Sequence, residues 1–154
     1  ARVQRAARVA AVTLFIPAVI LLAGGGLAVR TVQPPVFRPG PETAMFSKIR
    51  DLLPKDAVIL AEYDTSNALP AWTPQFTLIG HGPESAHLSE LRPKVEAFLA
   101  NPADAELDWL AAQRVTHVLF TPKDAGLAAA KNLPWLVELA EVEGYTLYAV
   151  EWEP

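Results

Sequence analysis

The chain has 154 residues, of which 51% are hydrophobic and 19% charged, with a formal net charge of −4 and no cysteine. That length suits one domain. The missing cysteines exclude a disulfide framework, and the acid excess argues against a nucleic-acid partner, which needs a basic face.

In chain order, the first feature is the run from Val9 to Val29, VAAVTLFIPAVILLAGGGLAV, which carries no charged residue. At ~1.5 Å per residue it reaches ~30 Å, the thickness of a bilayer core. Pro17 would break a soluble helix but is tolerated in a membrane. A secretory signal is the competing reading, with Arg2, Arg5 and Arg8 as its basic start and Gly26 to Ala28 as a cleavage site. The run is longer than the ~7–15 apolar residues of such a signal, so a transmembrane helix is expected. Three arginines upstream against Arg30 and Arg38 downstream favour a cytoplasmic N-terminal side and an external bulk. The first residue is Ala rather than Met, and the chain is expected to be part of something longer.

Arg30 to Glu42 holds four prolines and reads as a stiff, extended linker. Met45, Ile49, Leu52 and Leu53 then fall at helical spacing, with Pro54 as the stop. The short apolar run Ala57 to Ala61 suits a strand buried on both faces. TSNALPAWTPQ reads as a loop, and FTLIG as a second strand ending at Gly80. Between Glu84 and Ala100, Leu88, Leu91, Val95, Phe98 and Leu99 form one helical stripe, with Pro93 marking a kink or a second start. NPADAELDWLAAQR reads as one helix, capped by Asn101 with Pro102 in its first position; Leu107, Leu110 and Ala111 are its buried stripe. VTHVLF is a third strand, TPKDAGLAAAKN a loop and short helix, and LVELAEVEGYTLYAVEWE a hairpin turning at Glu143–Gly144.

The expected fold class is therefore α/β: a small layered sheet with flanking helices and a C-terminal β-hairpin at one edge, preceded by one transmembrane helix. The domains follow as residues 1–30 for the transmembrane helix and its basic flank, 31–42 for the linker and 43–154 for the soluble α/β domain.

These phrases in series carry a resemblance. LLPKDAVILAE, LPAWTPQFTLIGHGPES, VEAFLANPADAELDWLAAQRVTHVLFTP and the closing GYTLYAVE together resemble the extracytoplasmic C-terminal domain of polytopic bacterial membrane glycosyltransferases of the GT-C type, which use lipid-linked sugar donors. A strand ending in Gly-His recurs in that group, and here it is Gly80-His81; LAAQRVTHVLF is the most specific phrase. The resemblance covers about Thr43 to Glu151 together with the last transmembrane helix. It implies a chain that lies in the bacterial cell membrane with its soluble domain outside, beside the remaining transmembrane helices of a parent protein. Catalytic acids in that family lie between early transmembrane helices, so the resemblance implies no catalytic residue in this chain. The role it implies for this part is support, or contact with a lipid-linked sugar or a glycan acceptor. The alternative is a stand-alone, single-pass anchored binding module.

HGPESAH, residues 81–87, is the densest cluster of chemistry. If a helix began near Pro83, Glu84 and His87 would share a face, but with His81 they offer at most three ligands at a spacing unlike zinc sites. No metal and no cofactor are expected. The glycines there suit a strand-to-helix bend, at the sheet edge where α/β proteins commonly bind ligands. No Gly-x-Ser-x-Gly elbow accompanies Ser85 or Ser89. TPKDAG could hold an anion at a helix N-terminus, and a small hydrolase using His81 and Glu84 is a third function class. The residues singled out for substrate contact are His81, Glu84, Asp64 and Trp72.

Overall fold

The computed structural model of the chain describes residues 13, 15–27, 38–80 and 87–152. It divides into two compact units, Ala1–Arg38 and Pro39–Pro154. In the first, residues 15–27 are helical (α1), and their large apolar side chains are exposed, Leu21 by 75% and Leu22 by 77%. Among the described residues no helix is long and apolar enough to cross a membrane; the rest of Val9 to Val29 lies outside them.

The second unit is α/β, a five-stranded mixed sheet with helices on both faces. Its elements are α2 (Gly40–Leu52), β1 (Val58–Ala61), α3 (Tyr63–Ala68), β2 (Phe76–Thr77), α4 (Leu88–Ala100), α5 (Leu107–Ala112), β3 (His117–Phe120), α6 (Leu127–Ala130), β4 (Leu136–Val142) and β5 (Tyr145–Val150). The strand order is β2-β1-β3-β5-β4. β1 runs parallel to both its neighbours, whereas β5 is antiparallel to β3 and to β4. The hairpin thus extends one edge, as expected, and turns with positive φ at Glu143 (46°) and Gly144 (87°), the geometry of a tight hairpin turn.

Successive residues of a strand point to opposite faces, and β1 supplies both cores. Ile59 and Ala61 join Met45, Phe46 and Ile49 of α2, Leu69, Leu119 and Leu147. Leu60 joins Val95, Phe98 and Leu99 of α4, Leu110 of α5, Val118, Phe120 and Tyr148. On that side Phe120 meets the Tyr148 ring edge-on at 5.8 Å. His117, half-buried in β3, has its Nδ1 2.8 Å from Thr116 Oγ1, and burial lowers its pKa.

Four local expectations are corrected. α2 begins at Gly40, with Pro41 in its first turn and Glu42 already buried, so the last residues assigned to the linker belong to the domain. Proline costs little there because the first helical N–H groups lack partners anyway. TSNALPAWTPQ is not a loop: Tyr63–Ala68 is helical and Leu69–Ala71 forms a 3-10 turn. The capping comes from Glu62, whose Oε2 accepts from the N–H groups of Asp64 and Thr65. NPADAELDWLAAQR is not one helix but a 3-10 turn, Pro102–Asp104, followed by α5. Ala105 is extended there (φ −67°, ψ 134°), and the break rotates the stripe. Leu110 is fully buried, whereas Leu107 is 40% exposed and Ala111 is exposed. Finally, β2 keeps only Phe76–Thr77 of FTLIG.

Leu110 is the α5 side chain that fills the α4–α5 core. Leu110→Ala is expected to cost about 2–5 kcal/mol and to lower the thermal midpoint by about 10 °C or more. Leu107→Ala should shift it by only a degree or two. Melting curves of the two variants followed by far-UV circular dichroism make the comparison.

Candidate functional site: the C-terminal edge of the parallel strands

The chain leaves β1 toward α3 and the 3-10 turn, where Leu69 packs in the α2-side core. It leaves β2 and β3 toward α4 and α6, which pack on the other face. Connections that part to opposite faces open a crevice beyond the strand ends, the usual ligand position in open α/β sheets. One wall here is Glu62 to Thr65 and the other Thr121 to Asp124.

Glu62 is spent on capping α3, a role local to the strand-to-helix turn. Asp124 closes the opposite turn: its Oδ2 accepts from the Thr121 N–H at 2.6 Å, and Thr121 Oγ1 accepts from the Lys123 N–H at 3.3 Å. Burial pushes the Asp124 carboxyl up; the Thr121 bonds oppose this and the nearby Glu62 charge adds to it. The Glu62 and Asp124 carboxyl groups are near enough for the charge of one to act on the other. Arg92 of α4 lies over the Tyr63 ring at 4.6 Å and bonds Glu96 at 2.7 Å. Its guanidinium is held charged first by Glu96, then by Tyr63 and Glu62.

On the third side, Gly80 lies three residues past β2 at φ +146°, and a Cβ there would lie 3.0 Å from the Ser66 carbonyl oxygen. Ser66 is itself pinned, its hydroxyl donating to the Ala61 carbonyl at 3.0 Å. Gly80 therefore answers both to backbone conformation and to close approach. The hairpin turn closes the rim, Gly144 lying against Pro122.

His81 and Glu84 lie outside the described residues, which resume at His87. Asp64 stands exposed in the first turn of α3, on the crevice. Trp72 does not join it: it follows the 3-10 turn, 47% exposed, with its ring 6.4 Å from that of Phe46 on α2. His87 precedes α4 in left-handed conformation, φ 61°. Its Nδ1 lies 3.5 Å from a carboxyl oxygen of Glu90. At TPKDAG, where a bound anion was one reading, the Thr121 N–H is already taken by Asp124. Among the described residues no group of three His, Cys, Asp or Glu could hold a metal.

Arg92 and Asp124 were not singled out by sequence. Arg92 reads as a solvated helix residue, and only the packing of α4 on the face that also takes Tyr63 brings the two together. Asp124 is three residues past Thr121, a spacing typical of a side-chain-capped turn, which was a readable signal. Rimmed by carboxylates with one guanidinium and one lysine, the crevice suits hydroxyl-bearing ligands better than anions.

No family model matches the chain, and no curated protein is similar to it.

Two outcomes test this geometry. A raised folded-state pKa favours the protonated acid, so the Asp124 contribution is complete below the ordinary carboxylate pKa of about 3.9 and is lost as pH rises through the folded-state value. Asp124→Asn keeps an acceptor for Thr121 and sheds the charge. It should raise the thermal midpoint by a few degrees at pH 7, on the scale of ~1 kcal/mol or less, with the gain vanishing near pH 3. Gly80→Val should destabilise by about 1–3 kcal/mol or more through its φ and the Ser66 contact. Gly40→Ala, with open space around it, should be neutral in the same urea titration.

Proposed function

We propose that this chain is the last transmembrane helix and soluble C-terminal domain of a multispanning bacterial membrane glycosyltransferase of the GT-C type. In this reading the domain lies on the extracytoplasmic side, and its crevice contacts a lipid-linked sugar donor or the glycan acceptor without performing the transfer. The series of sequence phrases supports the family, and α1 supports the anchor. A helix apolar on all sides belongs in a protein core or in lipid, and the large apolar side chains of α1 are exposed.

The observation that carries the substrate-contact role is where the chain enters the domain. Glu42, in the first turn of α2, is 2% exposed and accepts from the Thr65 hydroxyl at 2.8 Å. Thr65 belongs to the crevice wall. The start of α2 is thus bonded to the edge of the sheet that carries the crevice, which supports a substrate-contact role for that edge.

The test is photo-crosslinking in native membranes. A photoreactive amino acid in place of Asp64 or Lys123 should capture a polyprenyl-linked saccharide, and one in place of Val137 on the outer strand should not. Equal capture at all three positions, or none, would remove the substrate-contact role. Alkaline carbonate extraction of the same membranes should leave the full chain in the pellet; release into the supernatant would remove the anchor.

A further inference from the structure

A second concavity shares no lining residue with the crevice. It is a cleft of about 350 Å3 between α4, the Pro102–Asp104 turn and α5, within the usual range of small-molecule sites. Its apolar wall is Trp109, half-buried, backed by Phe98. Its rim is polar: Lys94, Asn101, Asp104 and Glu106. The Asn101 amide donates to Asp104 Oδ2 at 2.7 Å, which fixes both side chains. The Lys94 ammonium lies 5.6 Å from the Trp109 ring centroid, on a side chain exposed enough to swing aside.

The charges narrow the ligand class. A cationic ligand seeking the indole face meets Lys94, already in that position. An anionic one meets two carboxylates, Asp104 and Glu106. An uncharged ligand with an apolar face and a hydroxyl edge meets neither objection. Its C–H face lies on the ring, and its hydroxyls donate to the carboxylates and the Asn101 carbonyl and accept from Lys94. The break between the Pro102–Asp104 turn and α5 makes this arrangement. A continuous helix over Asn101 to Arg114 would place Asn101, Asp104 and Trp109 along one rod, with no concavity between them.

We propose that this cleft binds a neutral saccharide ring stacked on Trp109. The proposal stands on a surface separate from the crevice and does not require the transferase reading; saccharide binding here and substrate capture at Asp64 fail independently.

The experiment uses the full chain in a detergent without a sugar headgroup, since a glycosidic one would occupy the site. Tetrasaccharides of glucose, mannose and galactose are titrated while the indole N–H signals are followed by NMR. Tetramethylammonium and inorganic phosphate serve as charged comparators. The expected result is a saturable shift of the Trp109 signal with at least one saccharide, at sub-millimolar to millimolar concentration, and none with either ion. Trp109→Ala should weaken binding at least tenfold. Because that variant also removes core packing, Asp104→Ala and Glu106→Ala, both at exposed positions, should weaken binding severalfold with unchanged melting. A Trp109 signal unmoved by all three saccharides, saccharide binding that survives Trp109→Ala, or a shift with tetramethylammonium instead would each overturn the proposal.

Discussion

A strand of only four residues, Val58–Ala61, must be apolar on both faces, and most of the domain follows from that requirement. Ile59 and Ala61 need one covering layer and Leu60 another. α2 supplies the first and α4 with α5 the second. A strand covered on both sides needs connections that depart to both sides, and their parting opens the crevice. The strand is also clamped at its start. Thr116 donates its N–H to the Val58 carbonyl at 3.0 Å and its hydroxyl accepts from the Val58 N–H at 2.9 Å. That fixes the β1–β3 register and, with it, the relative position of the turns that carry Glu62 and Asp124.

The same logic explains what was legible beforehand. Buried strands and helix stripes write themselves as apolar periodicity, so β1, β3, α2, α4 and the hairpin stand clear in the sequence. Val95, Phe98 and Leu99 face inward because their spacing leaves them no alternative. Interactions between a side chain and the nearby backbone do not show as periodicity. Glu62 capping α3 and Ala105 breaking the segment after Asn101 are local choices of a few dihedral angles, and there the reading erred. The misplacing of Leu107 is a direct result, since a stripe computed across a broken helix points the wrong way.

The sequence pointed to a place for the candidate site and not to its membership. That the ends of β1 and β2 would carry polar groups follows from α/β architecture, and Asp64 lies in the first turn of α3, just past β1. Trp72 went elsewhere because the 3-10 turn after α3 carries it to the Phe46 ring, a contact between residues far apart in sequence. Arg92 came in for the complementary reason: α4 packs on the Leu60 face of the sheet, which brings Arg92 to the Tyr63 ring.

The two margins of the sheet are unlike, and both are inhospitable. β2 offers only two residues of free backbone. β4 is longer, but its register shifts between Glu138 and Ala140, and Glu138 and Glu141 put charge along it. A foreign strand arriving at either margin finds too few amides to zip onto, or a kinked and negatively charged row of them. Copies of this domain held at high density can therefore collide repeatedly without their sheets fusing end to end.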